Sequence, residues 1–215
     1  MPTDYAAVIF DFDGTLVHSE PLHEWAIRGS ARPLGWDFTT EWFFENVVGR
    51  GDERAFGLIA RAHGASLDDA GLRALLARKL ALMDEGIAAG RFEVQEGAEA
   101  AVCAAAARGP VAVCSSSLRR SVEAMVRRMG IMDALGALVC GDDVARLKPA
   151  PDGYLRTAER LGVEPGRCLA IEDTPTGIAS ARAAGMAVWA VGHTYGPGTL
   201  AGADRVLGHI REFTL

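Results

Sequence analysis

The stretch Ala6-Ala7-Val8-Ile9-Phe10-Asp11-Phe12-Asp13-Gly14-Thr15 decides how the rest of the chain is read. Its first five residues are apolar and rich in Val, Ile and Phe, the composition of a strand buried on both faces. The run stops at a carboxylate. Two aspartates two positions apart project to the same side of an extended backbone, and Gly14 lets the chain turn sharply away. Carboxylates delivered by the end of a buried strand suit two tasks, binding a hard cation and attacking phosphorus. A strand closed by an Asp-Gly turn is the plainer alternative.

Beyond Thr15 the pattern changes. Residues from about 20 to 90 contain no convincing strand. Helical patterning runs over 20–30, 42–48, 52–63 and 68–87, punctuated by Gly35, Gly49, Gly51 and Gly64. From Gly97 helix and strand alternate. Strands are expected at 111–114, 137–140, 168–171 and 187–191, and helices at 98–108, 119–129, 152–161 and 174–184. Such alternation implies an α/β fold, a parallel sheet with helices on both faces.

Composition narrows the partners. The chain has 215 residues, is 49% apolar and carries a net charge of −6. Without a basic run, nucleic acid is not expected as a partner. No stretch is long enough to span a bilayer. The first apolar run is too short for a leader peptide, so a cytoplasmic location is expected, with no membrane partner. Cys103, Cys114, Cys140 and Cys168 lack Cys-x-x-Cys spacing and read as reduced core residues. Of 22 basic residues only Lys79 and Lys148 are lysines. A lysine is a compact point charge, and so Arg-biased a chain keeps one where Arg would not fit.

Four expected strands end in polar groups: Asp11, Ser115, Asp142 and Glu172-Asp173. In an open parallel sheet ligands bind outside the carboxyl ends of the strands. Residues far apart in sequence can therefore meet at one edge, although a lone Ser or Asp after a strand is often only a cap.

Four motifs in order carry a resemblance: Asp11-Phe12-Asp13-Gly14-Thr15, Ser115 after a strand, Lys148-Pro149-Ala150-Pro151-Asp152, and Ile171-Glu172-Asp173. With them the chain resembles the haloacid dehalogenase-like (HAD) superfamily, and within it the beta-phosphoglucomutase-like phosphatases, from Val8 to about Val191. The resemblance implies a Rossmann-like core over 1–16 and 91–215 and an inserted α-helical cap over 17–90. It implies Asp11 as nucleophile and Asp13 as general acid, then base. Lys148 would neutralise phosphoryl oxygens and Ser115 would donate a hydrogen bond to one. Mg²⁺ would bind Asp11, the Asp13 carbonyl and Asp173, with Glu172 orienting its waters. Read from its sequence alone, Lys148 could also be a surface lysine before a proline loop.

For the substrate, the resemblance points to Ser116, His23 and Arg50. Trp25, Trp36 and Trp42, with Phe38, Phe43 and Phe44, either stack on a ligand or hold the helices together. Several positions depart from the family pattern. Asp52 stands where the mutases carry an arginine for a second phosphate, and Arg119 replaces a polar residue facing the substrate. The expected activity is a Mg²⁺-dependent phosphatase of a small phosphorylated metabolite, a sugar or polyol phosphate. Asp52, which would repel a second phosphate, disfavours the phosphosugar mutase alternative. A non-catalytic phosphometabolite-binding regulator is the remaining reading. The protein would act as a monomer or homodimer.

Overall fold

A computed structural model of the protein describes residues 5–48 and 51–215. The chain divides into two compact units. One runs to His18 and resumes from Glu93 to Leu215; the other is Ser19–Phe92. Chain order begins with β1 (Ala7–Phe10) and β2 (Val17–His18) and continues through α1 (Glu20–Ala31), α2 (Thr40–Asn46), α3 (Asp52–Ala62) and α4 (Asp69–Ala88). Next come β3 (Glu93–Val94), α5 (Ala98–Ala106), β4 (Val111–Cys114), α6 (Arg119–Arg128), β5 (Ala137–Val139) and α7 (Asp152–Leu161). β6 (Cys168–Glu172), α8 (Pro175–Ala183), β7 (Ala187–Val191) and β8 (Arg205–Leu207) complete it.

Six strands form one parallel sheet in the order β5-β4-β1-β6-β7-β8. β1 is central because all four of its residues are apolar and both its edges are paired. Ala7 and Ile9 share a buried layer with Tyr154 and Ala158 of α7 and Ile178 and Ala181 of α8. Phe10 faces the other way and meets the edge of Phe213, with ring centroids 5.4 Å apart. Burial on both faces is why these strands read as continuous apolar runs. From β1 the order runs one way to β4 and β5 and the other way to β6, β7 and β8. In open α/β sheets ligands bind at such a reversal, outside the carboxyl ends of the strands, which here is the end of β1. The antiparallel ribbon of β2 and β3 pairs Val17 with Val94 and His18 with Glu93. Its strands, like β8, are too short to give a period in the sequence.

At the far end of β5, Arg119 and Arg160 both donate to the Leu138 carbonyl, at 2.8 and 2.7 Å, and both engage Asp143. Burial acts to raise the Asp143 pKa. Hydrogen bonds from the Cys140 N–H and the two guanidinium groups outweigh it and hold the carboxyl below its ordinary value of 3.8. Because the folded pKa is depressed, this stabilisation is complete above the unfolded value and is lost as pH falls through the folded one. Asp143→Asn is therefore expected to cost about 1–3 kcal/mol near neutral pH and to flatten the acid limb of the stability curve. Urea melts from about pH 7 to about pH 2 measure both effects.

In the second unit Ile27, Ala31, Phe43, Val47, Ala55, Phe56, Ile59 and Leu75 form the core, with Trp36, Phe38 and Trp42 packed against it. Phe38 stacks on Phe43 at 5.9 Å and Trp36 on His63 at 6.2 Å. These aromatics hold the helices together; Phe44 is the exposed exception. α2 begins two residues before the expected start because Thr39 accepts the Trp42 N–H at 3.1 Å, a side-chain N-cap. No helix among the described residues is long and apolar enough to cross a membrane.

Candidate active site

Asp11 stands one residue past β1, and its N–H still bonds the Ile171 carbonyl of β6 at 2.8 Å. The sheet ladder thus carries through to the carboxylate and fixes its position. Gly14 turns the chain with φ +86°. A Cβ there would lie 2.0 Å from Asp173 Oδ2, so both its conformation and its surroundings require glycine. Asp13 Oδ2 accepts from Ser115 Oγ at 3.0 Å and Ser117 Oγ at 2.8 Å. The buried Thr15 hydroxyl lies between Asp11 Oδ2 (3.3 Å) and Asp173 Oδ1 (3.4 Å).

Lys148 reaches into this group from the loop before α7. Its Nζ donates to Asp11 Oδ1 at 2.5 Å, Glu172 Oε1 at 2.6 Å and the Cys114 carbonyl at 3.1 Å. Three bonds use all three ammonium hydrogens. Burial acts against its charge, but the Asp11 and Glu172 carboxylates raise its pKa well above the ordinary value, so it stays a cation. The Tyr154 hydroxyl, completely buried, donates to the same Glu172 oxygen at 2.7 Å. Glu172 Oε2 accepts from the Asp173 N–H (3.2 Å) and the Thr174 hydroxyl (3.3 Å).

Oxygens of Asp11, Glu172 and Asp173, all buried, lie within 4.8 Å of one another. Burial pushes the Asp11 pKa well up, and Glu172 and Asp173 push it further, against the pull of Lys148. One ammonium faces three carboxyl groups in a desolvated site, which favours the neutral form of Asp11 unless a further cation joins them. An oxygen-only donor set with excess negative charge fits a hard divalent cation such as Mg²⁺.

The close fit around Glu172 gives a test. Alanine normally stabilises a helix relative to glycine by up to about 1 kcal/mol. A Cβ on Gly177 in α8 would fall 1.9 Å from Glu172 Oε2, with no room for it. Gly177→Ala is expected to reverse the usual sign and cost about 1–3 kcal/mol, read by thermal melting. A melt at or above that of the parent would show that Glu172 is free to move aside.

The structure brings Asp11, Asp13, Ser115, Lys148, Glu172 and Asp173 to one sheet edge. Asp142 does not join them: it accepts the Arg119 N–H at 2.9 Å and caps α6. Nor is the Arg119 side chain directed at a ligand, being engaged by Asp143 and the Leu138 carbonyl. Ser116 is exposed, and it is Ser117 that shares Asp13 with Ser115. The chain bends after β4, the Ser117 N–H donating to Ser115 Oγ at 2.9 Å, and this local turn brings both hydroxyls to Asp13. His23 lies in α1, its Nδ1 3.1 Å from Lys79 Nζ. Lys79 is buried and pairs with Asp52 at 2.8 Å. Asp52 is thus not the bare negative charge expected from the sequence, and its repulsion of a second phosphate is largely cancelled. Arg50 lies outside the described residues. Cys114, Cys140 and Cys168 are buried free thiols, while Cys103 is free and exposed. Burial raises the Cys114 pKa to about 11, which leaves it a thiol. Thr15 closes the Asp11–Thr15 motif, whereas Tyr154 and Gly177 carry no distinguishing signal in the sequence.

Residues 5–185 match the family model of haloacid dehalogenase-like hydrolases, and the chain belongs to that family. It is 35% identical to the phosphoglycolate phosphatase of Rhodospirillum rubrum, over 88% of this chain and 80% of that one. It is 33% identical to the fructose-1-phosphate phosphatase YqaB of Escherichia coli, over 85% and 94%. The crystal structure of CbbY from Rhodobacter sphaeroides in complex with phosphate superposes with a TM-score of 0.79 at 30% identity, covering 97% of this chain and 96% of that one.

Proposed function

We propose that the protein is a Mg²⁺-dependent phosphatase that hydrolyses a small sugar or polyol phosphate through an aspartyl phosphate on Asp11. One observation carries the reading: Lys148 holds the Asp11 carboxylate at the end of the central strand, beside Asp173 and Glu172. Asp13 lies two residues away, anchored by two serine hydroxyls.

Asp11 attacks phosphorus, forming its O–P bond as the bond to the ester oxygen breaks. Asp13 gives its proton to the departing alkoxide, which leaves as an alcohol. Asp13 then takes a proton from a water that attacks phosphorus, and inorganic phosphate leaves Asp11. Ser115 and Ser117 orient Asp13 by fixing one carboxyl oxygen. Lys148 keeps the Asp11 carboxylate aimed and holds positive charge beside the transferring group. When bound, Mg²⁺ would supply further positive charge at the phosphoryl oxygens. Asp11, Asp173 and the Asp13 carbonyl would hold it, with Glu172 behind them.

Choice among esters is assigned to the helical insert, about residues 17–90, where Lys79, Asp52 and His23 form a polar cluster. A phosphosugar mutase would form the same intermediate. Hydrolysis is preferred because two of the relatives named above, that of Rhodospirillum rubrum and that of Escherichia coli, are phosphatases. Phosphorus NMR of the protein with Mg²⁺ and a panel of sugar and polyol monophosphates tests this. Free phosphate, lost with EDTA, supports hydrolysis. Movement of phosphate between positions of one sugar would replace it with the mutase reading.

A further inference from the structure

The loop after β7 brings two further side chains to the site, His193 and Thr194. Thr194 Oγ1 donates to Asp173 Oδ2. His193 Nδ1 lies 2.9 Å from the Gly14 carbonyl oxygen, and its Nε2 lies 3.1 Å from the Ile210 nitrogen. These contacts fix the protons of the ring. A carbonyl oxygen can only accept, so Nδ1 carries the hydrogen; an amide N–H can only donate, so Nε2 is bare. The imidazole is therefore neutral with both nitrogens committed, and His209 packs against it edge-on with centroids 4.4 Å apart. A continuous path runs from the 3₁₀ turn Ile210–Glu212, through His193, to the turn that follows Asp13.

That turn has no slack. The point where a Gly14 Cβ would lie is 2.0 Å from Asp173 Oδ2 and 2.8 Å from Thr194 Oγ1. The Gly14 backbone, the Asp173 carboxylate and the Thr194 hydroxyl are packed against one another. The Gly14 carbonyl held by His193 belongs to the residue next to the Asp13 carbonyl.

We propose that His193 and Thr194 are positioning residues for divalent-cation binding. Thr194 aims Asp173, and His193 holds the Gly14 carbonyl and with it the turn beside Asp173, so that the carboxylate stays in place for an ion. The C-terminal segment thereby sets cation affinity without touching substrate. This rests on the reading of Asp173 as a cation ligand. Outer hydrogen-bond partners of metal ligands typically change affinity by about 10–100-fold when removed.

The test is a Mn²⁺ titration of the purified full chain, with free Mn²⁺ followed by electron paramagnetic resonance and folding checked by thermal melts. Thr194→Val keeps the shape and loses the hydroxyl; Thr194→Ser restores it. His193→Asn places an amide donor where Nδ1 lies, and His193→Gln places its amide nearer Nε2. Thr194→Val is expected to weaken Mn²⁺ binding by about 10-fold or more, with Thr194→Ser within about threefold of the parent. His193→Asn is expected to retain binding that His193→Gln loses. Parental affinity in Thr194→Val, or equal losses in His193→Asn and His193→Gln, would overturn the proposal, leaving the loop a tether of the fold. Asp173→Asn separates the two layers. If it binds Mn²⁺ like the parent, or the parent binds none, the ligand reading itself fails and the proposal falls with it.

Discussion

Asp11→Asn is expected to abolish turnover, by roughly 10⁴-fold or more, while leaving the metal-free protein as stable as the parent or more so. The amide has the volume of the carboxylate but is no nucleophile. Its oxygen can still accept from Lys148, which retains Glu172 as an ion partner at 2.6 Å. The direction of the stability change follows from the Asp11 pKa, which burial pushes well above 3.8. A raised folded value means that the folded state favours the neutral form. The ionised parent therefore loses stability as pH climbs above the unfolded value and through the folded one. Asparagine removes that loss. Thermal melts in EDTA, run beside phosphate-release assays, check both halves. A variant that melts well below the parent would show that the Asp11–Lys148 pair stabilises more than burial of the carboxylate costs.

Lys148→Met is expected to damage both activity and stability. It leaves Asp11 and Glu172 without their shared cation and the Cys114 carbonyl without its donor. Removing one partner of a buried ion pair typically costs about 3–5 kcal/mol. The loss of positive charge beside the transferring group should lower kcat by about 10²–10³-fold. Lys148→Arg is not a rescue, because a planar fork cannot reproduce three bonds radiating from one nitrogen. Urea melts and steady-state kinetics measure the two effects. A Lys148→Met protein with parental stability would mean that Asp11 and Glu172 are not both ionised in the folded state.

The two predictions rest on residues whose placement could be seen before folding was considered. Asp11 and Glu172-Asp173 each close an apolar run, because central parallel strands are buried on both faces and stop where the chain meets the ligand edge. Lys148 stood out through the scarcity of lysine. Other parts were hidden for a physical reason. Tyr154 looks like one more residue of an amphipathic helix until α7 packs its hydroxyl against Glu172. His193 and Thr194 lie in a Gly-rich loop whose meaning comes from contacts 179 and 21 residues away in sequence. Asp52 illustrates the converse. Read singly it is a negative charge, but α4 places Lys79 against it, a partner 27 residues distant. β2, β3 and β8 escaped notice because two or three residues cannot display a period and Glu93 and Arg205 do not look like strand interior.

The most direct test of the account is to trap the phosphorylated protein. The chain would be mixed with Mg²⁺ and a sugar phosphate that it turns over, quenched in acid and reduced with borohydride, which converts an aspartyl phosphate to homoserine. Peptide mass spectrometry would then locate the altered residue. The expected result is homoserine at position 11 alone, absent when EDTA replaces Mg²⁺ and absent in Asp11→Asn. Modification at another residue, or steady phosphate release in Asp11→Asn, would contradict Asp11 as the group that takes the phosphate.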